Sequence, residues 1–272
     1  MRWTTVASSL LSVLILALSI ALFLQPSTQT TYQSVFLFFP IALCLVLPLI
    51  DRPFRLPARV THLTPAQTDA LLVFLRKSIL PKTDFLRLTA WATHVLHARP
   101  SLVQINTPLP VTVVGDVHGH FDDVFQILRD GVEGRVLVFN GDFVDRGTAG
   151  VQVLTALMAF LCASPQAIYL ARGNHEDPDL HAMYGFRAEV LKKYDEETLT
   201  ALTPFFTALP YAHIINNAVA VVHGGLPPQP ISLDDIRSLP RTDTFLADST
   251  TPGLAAGLLW SDPRPEPGTA PS

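Results

Sequence analysis

Charge is what the beginning of this sequence lacks: from Trp3 to Ile50 there is no Asp, Glu, Lys, Arg or His. Charged residues make up 15% of the chain against 49% hydrophobic, and this leader accounts for the imbalance. The remainder has ordinary charge density, so the chain reads as a hydrophobic leader joined to a soluble domain. Cysteine is nearly missing as well. Cys44 and Cys162 are the only two and form no CxxC motif, which excludes a disulfide framework and fits a reducing compartment for the soluble part. An excess of positive charge is also missing, because 19 basic and 23 acidic residues leave a net charge of −4. No nucleic-acid partner is expected from such a balance.

Within the leader, residues 6–24 are apolar apart from four serines, Ser8, Ser9, Ser12 and Ser19. A helix rising 1.5 Å per residue over that run approaches the ~30 Å needed to cross a bilayer core. A second run, 35–50, contains Pro40 and Pro48 and reads as a tilted span or a re-entrant segment. Arg2 precedes the first run, and Arg52, Arg55 and Arg59 follow the second. By the positive-inside rule both flanks are cytosolic. The expectation is therefore a membrane anchor over 1–50, with the membrane as partner and location and a cytosolic catalytic domain. A signal peptide is the weaker reading, because Phe23-Leu24-Gln25-Pro26 makes a poor cleavage site.

A Pro- and Arg-containing linker is expected over 51–63 and the catalytic domain over 64–272. Thr64-Pro65-Ala66-Gln67 has the form of a helix start, with Thr64 as N-cap, Pro65 in the first turn and Gln67 closing a capping box. Leu71, Leu72, Leu75 and Ile79 continue it as an apolar stripe. A second helix is expected over 84–97, with His94 and His97 as surface or satisfied residues rather than ligands. From Pro110 the pattern changes to short β-branched runs at 111–114, 135–139, 167–170 and 218–222. Helical stretches, 122–129 and 151–162, lie between them. Each strand runs straight into a polar, glycine-containing motif, which predicts a layered α/β domain with its chemistry at the carboxyl ends of the strands.

Those motifs are Gly115-Asp116-Val117-His118-Gly119, Gly141-Asp142-Phe143-Val144-Asp145-Arg146-Gly147, Gly173-Asn174-His175-Glu176 and His223-Gly224-Gly225. Asp116 and His118 stand two apart at a strand end, so both can face one side. A carboxylate with an imidazole suits a transition metal better than calcium. Asp142 can bridge two cations, while Asn174 and His223 add a neutral oxygen and a second imidazole. Two cations roughly 3.5–4 Å apart would acidify a shared water and clamp an in-line phosphoryl displacement. His175 is placed to protonate the leaving oxygen with Asp145 as its orienting carboxylate. Arg146, with Asn174, would contact the phosphate. Any one motif has a bland reading as a turn, a helix cap or a surface ion pair. Their joint order, each after an apolar strand, does not.

The motifs GDxHG, GDxVDRG and GNHE resemble the signature of the phosphoprotein phosphatase family of serine/threonine phosphatases. Met183-Tyr184-Gly185-Phe186, Leu209-Pro210, Leu233-Asp234-Asp235-Ile236-Arg237 and Leu258-Leu259-Trp260-Ser261-Asp262-Pro263 extend the resemblance. The wording is nearest the branch of tetratricopeptide-linked and EF-hand phosphatases, although neither accessory pattern occurs here. The resemblance implies a calcineurin-like metallophosphoesterase, a four-layer α-β-β-α sandwich. It implies a first metal on Asp116, His118 and Asp142, and a second on Asp142, Asn174 and His223, as manganese or as iron with zinc. Arg172 would brace the loop. The family pattern continues past Trp-Ser-Asp-Pro to a second phosphate-binding Arg and a further His ligand. No His follows His223, so the second metal is expected one ligand short and the sandwich incomplete at its C-terminal end.

Three functions are compatible with this reading. The first is hydrolysis of phosphoserine and phosphothreonine in proteins. The others are a catalytically impaired membrane-bound pseudophosphatase and a bis(5′-nucleosyl) tetraphosphatase-like phosphoesterase. The segments Met183-Tyr184-Gly185-Phe186 and Leu258-Leu259-Trp260 count against the dinucleotide reading.

Overall fold

Thr64 opens the first helix by local chemistry. It is extended (φ −76°, ψ 156°), its hydroxyl accepts the Gln67 N–H, and Gln67 Oε1 accepts the Thr64 N–H at 2.8 Å. This reciprocal capping box, with Pro65 in the first turn, starts α1 (Pro65–Leu75) as the sequence predicts. The computed structural model describes residues 54–57, 63–130, 132–244 and 253–262. Helix α2 (Lys82–His97) begins two residues before the expected start and leaves His94 and His97 exposed. Part of the expected linker belongs to the fold. Leu56 is buried, its N–H donates to Asp84 Oδ2 at 3.3 Å, and Arg87 donates to the Pro57 carbonyl at 2.6 Å.

Two three-stranded sheets follow. In the first, β2 (Val111–Val114), β3 (Val136–Phe139) and β4 (Ile168–Leu170) run parallel in the order β2-β3-β4. In the second, β1 (Leu102–Ile105) pairs in parallel with β5 (Ala212–Ile215), which pairs antiparallel with β6 (Val219–Val222). Strands β1 and β5 were not expected from the sequence. Neither runs into a glycine motif, and each carries a polar residue, Gln104 or His213, among its apolar ones.

Side-chain alternation sorts these strands into layers. Leu137 and Phe139 of β3 face a large core built with α1, α2, α3 (Phe121–Arg129), α4 (Gly150–Ala163) and α7 (Glu196–Thr207). Val136 and Val138 of the same strand meet Val103, Ile105, Tyr169, Ile215 and Val221 between the two sheets. Leu102, Ala212 and Ile214 turn the other way, onto Ile236 of α8 (Leu233–Ser238) and Leu258 and Leu259 of α9 (Leu254–Trp260). The order helix, sheet, sheet, helix is the calcineurin-like sandwich expected. Cys162 is buried in α4 as a free thiol, and burial pushes its pKa up to about 12.

The membrane-anchor helices expected at 6–24 and 35–50 lie outside the described residues, and membrane localisation is corrected. Among the described residues no helix is long and apolar enough to cross a membrane. The long, largely apolar α4 has 14 residues and so spans only about 21 Å against the ~30 Å required. Its apolar surface is spent on the domain core, with all but two of its residues buried.

Candidate metal centre

The loops after β2, β3, β4 and β6 converge, and backbone bonds lace the first two together. The N–H groups of Val117 and His118 both donate to the Asp142 carbonyl, at 3.1 and 2.8 Å, and Gly119 N–H donates to Phe143. Gly147 N–H donates back to the His118 carbonyl at 2.9 Å. A Cβ at Gly147 would lie 2.2 Å from that carbonyl oxygen, so only glycine permits the crossing. The loops hold four non-glycine residues in the left-handed region: His118 (φ 37°), Asp142 (54°), Asp145 (68°) and Arg146 (61°). Such backbone strain persists where surrounding contacts over-determine it, and functional sites concentrate it.

The two candidate ligand imidazoles are oriented alike. His118 Nδ1 lies 2.8 Å from the Val144 carbonyl, and His223 Nδ1 lies 2.7 Å from the Asn140 carbonyl. A carbonyl only accepts, so Nδ1 carries the proton in each ring and Nε2 presents a lone pair. His118 Nε2 sits 3.3 Å from Asp142 Oδ2 and 3.8 Å from Asp116 Oδ2. His223 Nε2 sits 3.0 Å from Asn174 Oδ1 and 3.4 Å from Asp142 Oδ1. Asp142 therefore presents one oxygen to each histidine. His118 Nε2 is buried with no hydrogen-bond partner. With Nδ1 carrying the proton, these inward-facing lone pairs and oxygens form a site that a cation would satisfy. The donor set of imidazoles, carboxylates and one amide oxygen fits a transition metal.

Among the described residues, two groups of side chains offer ligand atoms within 4.8 Å of one another: His118, Asp142 and His175, and Asp116, Asp142 and His223. Both share Asp142. The sorting differs from the expected sets, since Asp116 also lies within reach of the His223 side and His175 enters on the His118 side. Asp116 is the exposed member, with its side chain 54% accessible.

His175 is held from three directions. Its Nδ1 is 2.8 Å from Oδ2 of the fully buried Asp145, its backbone N–H donates to Asp142 Oδ1 at 3.0 Å, and its ring meets His118 edge-on. Asp145 Oδ1 accepts the Phe186 N–H at 2.9 Å. That N–H is delivered by the junction of α5 (Pro178–Tyr184) and α6 (Phe186–Lys193), where Gly185 takes φ 108°. Arg146 Nη2 stands 3.3 Å from His175 Nε2, and Tyr184 packs edge-on against the His175 ring at 4.9 Å. The structure thus brings together Asp116, His118, Asp142, Asp145, Arg146, Asn174, His175 and His223.

Three further residues support the centre. Arg172 is fully buried and donates to the Glu176 carbonyl at 3.2 and 3.0 Å, to the Asp243 carbonyl at 2.8 Å and to the Thr242 carbonyl, which is the brace expected of it. His181 Nε2–H donates to the His175 carbonyl at 3.1 Å, and burial lowers its pKa. No local pattern singles out His181, and Glu176 is the one charged residue of its motif without an expected role. Its buried carboxylate receives three backbone N–H groups. Burial and the charge of Asp142 push its pKa up, and the three N–H bonds oppose them by favouring the ionised form.

Comparison with known proteins agrees with this geometry. Residues 109–271 match the family model described as calcineurin-like phosphoesterase, and the chain belongs to that family. It is 42% identical over 205 residues to serine/threonine-protein phosphatase 5 of Arabidopsis thaliana, covering 73% of this chain and 37% of that protein. It is 38% identical to serine/threonine-protein phosphatase T of Trypanosoma brucei brucei, covering 73% and 43% respectively. A solved protein serine/threonine phosphatase from Saccharomyces cerevisiae superimposes with a TM-score of 0.67 at 34% identity, over 73% of this chain and 64% of that one. These relatives agree with the phosphoprotein phosphatase branch that the motifs resemble. The chain spans less than half the length of the two curated relatives.

Proposed function

We propose that this chain is a metal-dependent phosphatase acting on phosphoserine and phosphothreonine in proteins, with its catalytic domain over 64–272 and residues 54–57 packed onto it. The observation that carries the reading is Asp142, whose two oxygens face two differently placed histidines, each with its lone pair turned inward. Asp116, His118 and Asp142 are proposed to hold one cation, and Asp142, Asn174 and His223 the other, as manganese or as iron with zinc. When bound, such a pair supplies Lewis acidity that acidifies water and offsets phosphate charge. His175, its Nδ1 fixed by Asp145, would act as general acid by passing a proton from Nε2 to the departing serine or threonine oxygen, with Arg146 drawn from that nitrogen onto the phosphate. Arg146 is close enough to that nitrogen to hold phosphate oxygens beside it in a bidentate fork. Asn174 is proposed to contact the phosphate as well. Phosphoprotein substrates follow from the named relatives, both serine/threonine-protein phosphatases.

The test is turnover of a phosphoserine peptide and of a dinucleoside tetraphosphate by the full chain with Mn2+ present. Preference for the phosphopeptide is expected, and a reversed preference overturns the substrate assignment. Asp142→Asn is expected to abolish turnover, and His175→Asn to lower kcat by about 10²–10⁴-fold, the usual range for removing a general acid. Undiminished turnover in both variants would sink the mechanism.

A further inference from the structure

Glu176 joins the two loops that carry the bridging carboxylate and the general acid. Its Oε2 accepts the Asp142 N–H at 2.7 Å and the Gly173 N–H at 2.9 Å, while Oε1 accepts the Phe143 N–H at 2.8 Å. Asp142 returns the bond, since its Oδ1 accepts the His175 N–H at 3.0 Å. Each carboxylate therefore grips the backbone of the other's loop. The crossing is tight: a Cβ at Gly173 would fall 2.3 Å from Asp142 Oδ1, and one at Gly141 would fall 2.3 Å from the Gly173 nitrogen. Asp142 sits in this crossing at φ 54°, a conformation that residues other than glycine adopt only where contacts impose it. The consecutive N–H groups of Asp142 and Phe143 on the two oxygens of Glu176 are such contacts.

We propose that Glu176 is a positioning residue for the cation pair. It fixes the backbone of Asp142 so that the Asp142 oxygens point apart, one toward His118 and one toward His223. This role rests on the metal reading of the site. Glu176 itself is fully buried and its oxygens are taken up by backbone, so it acts through Asp142 and not on a cation. A carboxylate suits the task because it offers acceptors only. An amide of the same shape turns an NH2 toward one or more of the three donors, and the crossing then relaxes.

The test compares Glu176→Gln, Glu176→Asp and a remote control, Asp84→Asn, in the full chain. Asp84 is likewise a buried carboxylate accepting a backbone N–H, from Leu56, and it lies on α2 away from the loops. Mn2+ alone is titrated by calorimetry, Co2+ replaces it for visible absorption spectroscopy, and Tm is recorded without metal. The expected result is Mn2+ affinity weakened by about 10–100-fold in Glu176→Gln, the range for residues that orient metal ligands. An altered Co2+ spectrum should accompany it, with partial recovery of both in Glu176→Asp. The control should lose Tm with its Mn2+ affinity intact. If Glu176→Gln lowers Tm while binding Mn2+ as tightly as the parent, Glu176 is structural and the proposal falls. If Glu176→Gln does not fold, Glu176→Asp decides, and parental affinity and spectrum in it overturn the proposal. If the parent chain itself binds no Mn2+, the metal reading fails, and the positioning role with it.

Discussion

His213 shows what one residue contributes away from the chemistry. It lies between the sheets, paired across β1 and β6 with Val103 and Val221, and its ring meets Tyr169 edge-on at 5.8 Å. Neither ring nitrogen has a hydrogen-bond partner among the described residues. Burial, reinforced by the Arg99 guanidinium, lowers its pKa to about 3. In the unfolded chain the same group titrates near its ordinary ~6.5. Between these values the unfolded chain binds the extra proton, so the contribution is fully present above about pH 6.5 and lost as pH falls toward 3. The slope approaches 1.4 kcal/mol per unit, to order of magnitude. His213→Leu is expected to flatten the decline of Tm between about pH 6.5 and 4.5. Asp195 does not interfere there, because Lys82 and Thr198 hold its pKa at about 2 and its contribution is lost only in stronger acid. An unchanged slope in the variant would show that other groups set the acid sensitivity.

Elements were legible where the signal was local. Thr64, Pro65 and Gln67 specify the start of α1 through bonds spanning three residues, so the sequence alone places it. Thr64→Ala removes a cap hydroxyl and is expected to cost roughly 1 kcal/mol, read as a lower denaturation midpoint in urea with unchanged slope. A loss within error would mean that packing of Leu71, Leu72 and Leu75 alone holds the helix. The strands entering the site were legible because each is a β-branched run ending in glycine and an acid, amide or imidazole. Strands β1 and β5 were not. Gln104 and His213 interrupt their apolar pattern, and their pairing joins residues more than a hundred positions apart. Helix α4 shows a distant dependence of another kind. It has no cap of its own, and Glu189 of α6 receives the Gly150 and Val151 N–H groups instead.

For the molecule as a whole, a cation held by the centre would couple binding to folding. A cation that binds only the folded state stabilises it by RT ln(1 + [L]/Kd), about 2.7 kcal/mol at one hundred times Kd. Chelation by EDTA is therefore expected to lower Tm by several degrees, and Mn2+ to restore it, whereas calcium at the same concentration should not. A Tm indifferent to EDTA and Mn2+ would remove the premise of a folded-state cation site. The ligand types, their order after apolar strands and the Asp145-His175 partnership could be read from the residues alone, because each motif is a short segment bound to one strand end. How the motifs combine could not. That Asp142 turns one oxygen to His118 and the other to His223, that Asp116 also reaches the His223 side, and that Glu176 clasps the Asp142 loop are consequences of two loops crossing at glycines. Such crossings depend on sheet register and core packing, which bring residues distant in the chain to within hydrogen-bond reach, and no local pattern encodes them.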